Sequence, residues 1–318
     1  MPAHAAAVRR TRGFTPAIRA ATAVALLAAL AVLAAVMPPG GGSGEARPPR
    51  LAPPLALASG PGSPRIVGGT EVPAGTYRFM AYLKIGPYRC GGSLIDATHI
   101  LTAAHCVTGA SAASITAYIG GTTMSGGIPV GSISRAASAV AMHPQYNAST
   151  DERDVAVITL DQAVPAAADG GIDPIGFVAS GSTQGLAEGT LLTVAGWGTT
   201  SYGGPTSGKL LEVAVPAQTD AYCRQRYGLS ADESAVMFCA GPKTGGQDSC
   251  QGDSGGPLFY LDTSVYTQVG IVSWGNGCAW EGYPGVYSRI AAASINAFVA
   301  GFVPSLPAPT ATPTAIPT

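Results

Sequence analysis

The chain has 318 residues, a formal net charge of −1 and only 11% charged residues, against roughly 25% in an average soluble domain. So even a balance offers no electrostatic reason to expect nucleic acid as a partner. Gly (43) and Pro (26) are frequent enough that turns and irregular backbone must take up much of the fold.

Arg9, Arg10, Arg12 and Arg19 open the chain, and no acidic residue precedes Glu45. Ala20–Met37 then runs apolar apart from Thr22. A basic segment followed by an apolar one reads as an export signal over residues 1–37. At 18 residues the run is long for a signal core and close to the length of a membrane span. A retained anchor through residues 20–37 is therefore the alternative to a cleaved signal. Both put the bulk of the chain outside the cytoplasm, because the arginines stay inside. The six cysteines, all between Cys90 and Cys278, agree with that compartment. An even count in an oxidising setting predicts three disulfides, although the count does not assign the partners. No Cys-x-x-Cys or His-x-x-x-His spacing supports a metal site.

Residues 38–65, "PPGGGSGEARPPRLAPPLALASGPGSPR", are too rich in Pro and Gly to build a core and read as an exposed spacer or propeptide. Residues 304–318 form a Pro/Thr-rich tail expected to be disordered. Between them, residues 66–303 have the length of one all-β domain. "FMAYLKI", "HILTAAHCV", "SITAYIGG", "VAVITL", "TLLTVAGW", "KLLEVAVPA", "PLFYL", "TQVGIVSW" and "GVYSRI" are candidate strands separated by turn signals. Such spacing predicts barrels or sandwiches. Near the end, Ile295, Phe298, Val299 and Phe302 recur at helical spacing and predict one helix.

The chemistry concentrates in "GGQDSCQGDSGGPLFY", Gly245–Tyr260. A nucleophilic serine needs a base, and the base needs an orienting acid. "GDSGG" fits the Gly-x-Ser-x-Gly elbow of α/β-hydrolases, whose acid and histidine follow the serine. No histidine follows Ser254, so that reading fails and the order His, Asp, Ser stays open. Of the histidines outside the leader, His105 in "LTAAHC" is the candidate base, while His143 reads as a loop residue and His99 as part of a strand. Asp154 directly abuts the apolar run "VAVITL", where a carboxylate becomes buried and fixed; Asp151 is its nearest competitor.

These motifs resemble those of the trypsin-like serine proteases, above all secreted bacterial ones with three disulfides. The resemblance rests on "RIVGG" (Arg65–Gly69), "LTAAHC" (Leu101–Cys106), "DVAVITL" (Asp154–Leu160), "AGWG" (Ala195–Gly198), "DSCQGDSGGP" (Asp248–Pro257), "GIVSWGNGC" (Gly270–Cys278) and "PGVY" (Pro284–Tyr287). It implies an all-β fold of two six-stranded antiparallel barrels, with the active site between them and a helix at the C-terminal end. It implies a catalytic triad of His105, Asp154 and Ser254, and an oxyanion hole at the backbone N–H groups of Gly252 and Ser254. Asp248 is expected at the base of the specificity pocket. Gly275 and Gly285 leave the pocket walls open, and Ser273, Trp274 and Gly275 receive the substrate backbone as an added strand.

The same resemblance predicts activation by cleavage after Arg65, which frees the Ile66 amine to pair with Asp253. It pairs Cys90 with Cys106, Cys223 with Cys239, and Cys250 with Cys278. Expected partners are proteins or peptides carrying Arg or Lys before the cut bond, with no cofactor and a monomeric enzyme. In the loop where many relatives hold calcium, no Asp or Glu occurs from Val107 to Thr150, so no metal is expected there. The rival class is an inactive protease fold used as a binding module, but such a module normally lacks a triad member.

Overall fold

The computed structural model describes residues 66–167 and 171–303. The leader, the spacer with Arg65, and the tail from residue 304 lie outside the described residues.

The first half of the domain is a closed antiparallel barrel. Its order is Met80–Ile85, Tyr88–Leu94, His99–Thr102, Ala156–Leu160, Ile133–Met142 and Ile115–Ile119, which returns to the first strand. In Ile115–Ile119 the residues Ile115, Ala117 and Ile119 point inward and alternate with half-exposed Thr116 and Tyr118, the period-two pattern of a sheet with one dry face. Val157 and Ile158 are both fully buried, one on each side of the pleat. Burial of each such side chain stabilises the fold by about 1.5–3 kcal/mol. The expected strand His99–Val107 divides. Only His99–Thr102 is a strand, and Ala104–Val107 is a single helical turn that carries His105.

The second half is an eight-stranded sheet, in which Thr70–Glu71 and Gly176–Phe177 are short additions to a barrel ordered Leu211–Pro216, Leu191–Gly196, Pro257–Asp262, Val265–Trp274, Gly285–Arg289 and Met237–Ala240. Its first and last strands meet through one bridge, Ala217 with Ala240. Gln218 N–H donates to the Cys239 carbonyl, and Gly241 N–H to that of Pro216, each at 2.9 Å. Six strands thus come full circle, but the closing seam is narrow. The protein has the two-barrel architecture that the motifs implied.

Three barrel strands escape the sequence pattern: Tyr88–Leu94, Ile133–Met142 and Met237–Ala240. The first contains Gly91 and Gly92 where the backbone must approach its neighbours. A Cβ on Gly91 would lie 3.0 Å from the Gly256 backbone, and one on Gly92 would lie 2.7 Å from Ile100 Cγ2. The second is made largely of Ala and Ser and mostly faces outward. The third has only four residues.

Two further helices, Asp220–Tyr227 and Ala231–Val236, were also not anticipated. Their cues are local. Thr219 accepts from Tyr222 N–H, Gly228 ends the first helix at φ 65°, and Ser230 with Glu233 forms a capping box. The expected C-terminal helix is Ala293–Ala300, with Ile295 and Val299 fully buried. It crosses to the first barrel, where Phe298 packs on His143 and Phe302 on His99 at ring separations of 5.2 and 5.8 Å. Those two histidines are therefore structural.

The barrels are joined by an aromatic cluster. Phe259 meets Tyr77 and Phe79 edge-on at 5.0 and 5.4 Å, and Tyr266 closes the group. Beside it, Ser93 Oγ donates to Gln268 Oε1 at 2.7 Å in a fully buried bond between the two halves.

Candidate active site

Asp154 precedes the strand Ala156–Leu160 and is completely buried. Three donors fix its carboxylate. His105 N–H reaches Oδ1 at 2.8 Å, while the His105 ring Nδ1 and the Ser273 hydroxyl reach Oδ2 at 2.7 and 2.6 Å. The Ser288 hydroxyl donates to the Asp154 backbone carbonyl at 2.8 Å. With Nδ1–H on the carboxylate, Nε2 of His105 is left as the basic nitrogen. Burial alone would lower the His105 pKa. The hydrogen bond and charge of Asp154, with a contribution from Asp151, outweigh burial and move it upward. Asp154 rather than Asp151 therefore holds the imidazole, and the charge of Asp151 adds to its effect.

Ser254 sits on a loop whose backbone is tied down around it. Its carbonyl accepts Gly91 N–H from the first barrel at 2.8 Å, and Gly255 N–H donates to Val272 at 2.8 Å in the second. Cys106 Sγ lies 3.7 Å both from His105 Nε2 and from the Ser254 carbonyl. Gly252 is at φ +98°, a region that L side chains rarely adopt, and a Cβ there would lie 3.1 Å from Gly198 Cα. Among the described residues, the N–H groups of Gly252 and Ser254 donate to no protein acceptor, whereas those of Asp253, Gly255 and Gly256 all do.

Between those two N–H groups, Asp253 turns inward and is completely buried. Gly198 N–H reaches its Oδ1 at 2.8 Å and Cys250 N–H its Oδ2 at 2.9 Å. Burial raises its carboxyl pKa to about 6, against these two donors. Gly198 is required beside it, since a Cβ would stand 2.5 Å from the carboxylate. Ile66 is fully buried, and the Val67 carbonyl accepts Asp248 N–H at 3.3 Å, so the start of the domain packs beneath this loop.

A cavity of about 120 Å³ opens beside Ser254. Asp248, Ser273, Trp274, Gly275 and Gly285 all line it, which brings together the residues expected there. Asp248 is 2% exposed. Its Oδ2 accepts Ala279 N–H at 3.0 Å, while its buried Oδ1 has no hydrogen-bond partner among the described residues. Burial, with help from the Asp253 charge, raises its carboxyl pKa to about 7, opposed by the N–H groups of Ala279, Ser249 and Gly285. A Cβ at Gly285 would lie 2.6 Å from Asp248 Oδ1, so any side chain there would cover the carboxylate. One at Gly275 would lie 3.7 Å from the Gly277 carbonyl and 3.9 Å from Gly285 Cα, within the gap between the walls. Tyr287, fully buried, bonds to Ser249 at 3.2 Å, and Tyr227 stacks edge-on against Trp274 at 4.9 Å.

The three expected disulfides, Cys90–Cys106, Cys223–Cys239 and Cys250–Cys278, are present. Among the described residues, the one cluster of ligand-type atoms is Cys90, His105 and Cys106. Its two sulfurs are in a disulfide and lack the thiolate a metal needs. The contributions that sequence reasoning missed are the Ser273 bond to Asp154 and the space Gly198 leaves for Asp253. Both link residues far apart in the chain.

A carboxylate-held imidazole and a serine on a glycine-rich loop, carried by two six-stranded β-barrels, define a serine protease of the two-barrel class. The Trypsin family matches residues 66–298, and the chain belongs to that family. It is 38% identical over 229 residues to "Trypsin" of Saccharopolyspora erythraea, covering 71% of this chain and 94% of that protein. Likewise, it is 38% identical over 235 residues to "Trypsin-1" of Astacus astacus, with 71% and 95% covered. With "Trypsin zeta" of Drosophila melanogaster, identity is 39% over 241 residues, covering 71% and 82%.

Proposed function

We propose that the chain is an exported serine endopeptidase that cleaves after Arg or Lys and is made as an inactive precursor. The observation that carries the specificity is the buried Asp248 carboxylate, whose Oδ1 lacks a partner among the described residues at the bottom of a glycine-walled cavity. A long cationic side chain supplies the missing donors and neutralises the charge. In this reading Ser254 attacks the scissile carbonyl. His105 takes its proton and then passes it to the leaving amine, while Asp154 fixes the tautomer and stabilises the imidazolium. The free N–H groups of Gly252 and Ser254 bind the developing oxyanion, a role in which one donor is worth about 3–4 kcal/mol.

Residues 1–37 direct export, with retention through residues 20–37 as the alternative, and residues 38–65 are removed by cleavage after Arg65. The new Ile66 ammonium then turns to Asp253, a buried carboxylate whose present donors are backbone N–H groups. Residues 66–303 act as a monomeric protease domain that needs no cofactor, followed by the tail 304–318.

The test is kcat/KM on peptides that differ only in the residue before the cut bond. Arg and Lys should far exceed Leu and Phe, and Asp248→Ser should reduce that ratio by roughly 30- to 5,000-fold, as for removing one member of a buried charge pair. A ratio unchanged by the substitution contradicts the pocket assignment.

A further inference from the structure

We propose that Asn276 is a site of spontaneous deamidation, and that its isoaspartate product lengthens the wall of the Asp248 cavity and weakens the pocket. The modification stands on the residues around Asn276; its effect on substrate binding rests on the Asp248 reading above.

The asparagines of the chain are Asn147, Asn276 and Asn296, and of these Asn276 alone is followed by glycine. Asn147 and Asn296 each precede an alanine. Asn296 is also buried in the C-terminal helix, where its Nδ2 donates to the Val178 carbonyl at 2.8 Å. Asn147 Oδ1 accepts Ser149 N–H at 3.0 Å. Asn276 is half-buried and lies in irregular backbone after the strand Val265–Trp274. Its main chain bonds to Tyr227, but its side-chain amide has no partner among the described residues. The Gly277 N–H likewise donates to no acceptor among the described residues.

Packing imposes glycine at 277. Its φ is +75°, and a Cβ would stand 2.3 Å from Trp280 Cε2. The contact that demands glycine thus leaves the Asn276 amide beside a backbone nitrogen that no side chain shields.

Hydroxide removes the Gly277 amide proton, and the nitrogen attacks Cγ of Asn276. The N–Cγ bond forms and the Cγ–Nδ2 bond breaks. Nδ2 takes a proton from water and leaves as ammonia, which regenerates the hydroxide. Water then opens the cyclic imide. Breaking the bond from the Gly277 nitrogen to the side-chain carbonyl gives aspartate. Breaking its bond to the main-chain carbonyl gives isoaspartate, whose chain runs through Cβ and Cγ. Water enters, ammonia leaves, and nothing is oxidised or reduced.

Isoaspartate adds one carbon to a segment fixed at both ends. Trp274 pairs with Val286, and Cys278 is bonded to Cys250. Gly275, Gly277 and Cys278 line the cavity between those anchors. Next in the chain, Ala279 adopts left-handed backbone at φ 56°, donates its N–H to Asp248 Oδ2 at 3.0 Å and accepts Gly246 N–H at 2.9 Å. The extra atom displaces that turn. Without the Ala279 donor the Asp248 carboxylate is less firmly held and more readily protonated.

The experiment ages the Ser254→Ala protein, cut after Arg65 by added trypsin and then freed of it, in mildly alkaline and in mildly acidic buffer. Ser254→Ala removes self-digestion and leaves Asp248 in place. Peptide masses read the exchange of NH2 for OH, an isoaspartyl methyltransferase reads the isomer, and calorimetry with benzamidine reads the pocket. Asn276 should convert before Asn147 and Asn296, faster in alkali and mainly to isoaspartate. Each converted molecule should bind benzamidine about 10- to 150-fold more weakly, the range for one hydrogen bond to a charged group. The tight-binding fraction should therefore fall one for one with isoaspartate. Asn276→Gln, whose longer side chain cyclises far more slowly, should keep both its mass and its affinity. Fresh Asn276→Asp, which adds the charge without the carbon, should stay within about fivefold of fresh protein. Asn276 intact while Asn147 converts, isoaspartate at 276 with unchanged affinity, or an Asn276→Asp loss equal to that of aged protein overturns the proposal. Fresh protein that fails to bind benzamidine contradicts the Asp248 reading instead, and mass and methylation still decide the site at Asn276.

Discussion

Replacing Ser273 by Ala removes one of the three donors on the Asp154 carboxylate, the hydroxyl 2.6 Å from Oδ2. His105 keeps its two bonds, at 2.8 Å from the backbone and 2.7 Å from the ring, so the imidazole stays oriented. Ser273 is 8% exposed and Asp154 0%, which leaves water poor access to replace the lost bond. A hydrogen bond to a charged group contributes about 1.5–3 kcal/mol. Were all of it expressed in the transition state, the rate would fall by roughly 10- to 150-fold. Part is already present in the resting enzyme, because Asp154 is charged in both states, and only the difference affects the chemical step. The expected outcome is a fall in kcat/KM of about 3- to 30-fold, carried by kcat, with a loss in Tm of a few degrees. Ser288→Ala is the matched control. Its hydroxyl bonds to the Asp154 backbone carbonyl, not to the carboxylate. That variant should lower Tm while keeping kcat/KM within about twofold of wild type. A Ser273→Ala enzyme of wild-type activity, or an equal rate loss in both variants, would refute the assignment of Ser273 to the carboxylate network.

Binding of benzamidine, whose planar amidinium mimics arginine, should be linked to a proton at Asp248. Burial raises that carboxyl pKa to about 7 and the cation needs it ionised, so affinity should weaken as pH falls below about 7. Calorimetry in two buffers of different ionisation enthalpy should show proton release near neutral pH, and none between pH 6 and 8 would contradict the raised pKa. His143, whose pKa burial lowers with help from Arg153 and against the Ser294 carbonyl, favours the neutral state in the fold. Its contribution is present above the ordinary histidine pKa and is lost as pH falls through the lowered value. The stability difference between wild type and His143→Gln should therefore narrow on acidification, and a constant difference from pH 7 to 5 would exclude the effect. The precursor carrying Arg65→Gln should stay uncut by trypsin-type activation and nearly inactive on an arginyl ester; full activity from a chain shown intact by mass would rule out the Ile66–Asp253 switch.

The features legible in the sequence are those whose physics is local. Asp154 abuts an apolar strand, so its burial could be anticipated, and the order of His105, Asp154 and Ser254 excludes one hydrolase class. The C-terminal helix was visible because Ile295 and Val299 both face the core. Ile133–Met142 was not, because an Ala/Ser strand with a mostly exposed face is held by backbone bonds to neighbours on both sides, which leave no hydrophobic rhythm. Helix Asp220–Tyr227 buries only Cys223 and Tyr227, so its signal lay in the capping residues at its ends. The carboxylate network was hidden for a different reason. Ser273 and Asp154 are separated by 119 positions, and nothing near either residue announces the other.

The seam of the second barrel sets where this half of the molecule can breathe. Most of its other strands are joined by ladders of four to six residue pairs, but Ala217 and Ala240 meet at a single bridge flanked by two backbone amide bonds and the bond from Gln218 Nε2 to the Gly241 carbonyl. Few bonds must break to part the strands there, so local opening costs less than separating a long ladder such as that between Leu191–Gly196 and Leu211–Pro216. Cys239 adjoins that bridge, and its link to Cys223 ties the helix Asp220–Tyr227 across the gap like a rivet. Reduction would remove the rivet while leaving the ladders intact, and the amide protons of Gln218 and Gly241 would then exchange faster with solvent. That seam runs beside Gly241, along a strand that pairs directly with the wall of the Asp248 cavity at Gly285.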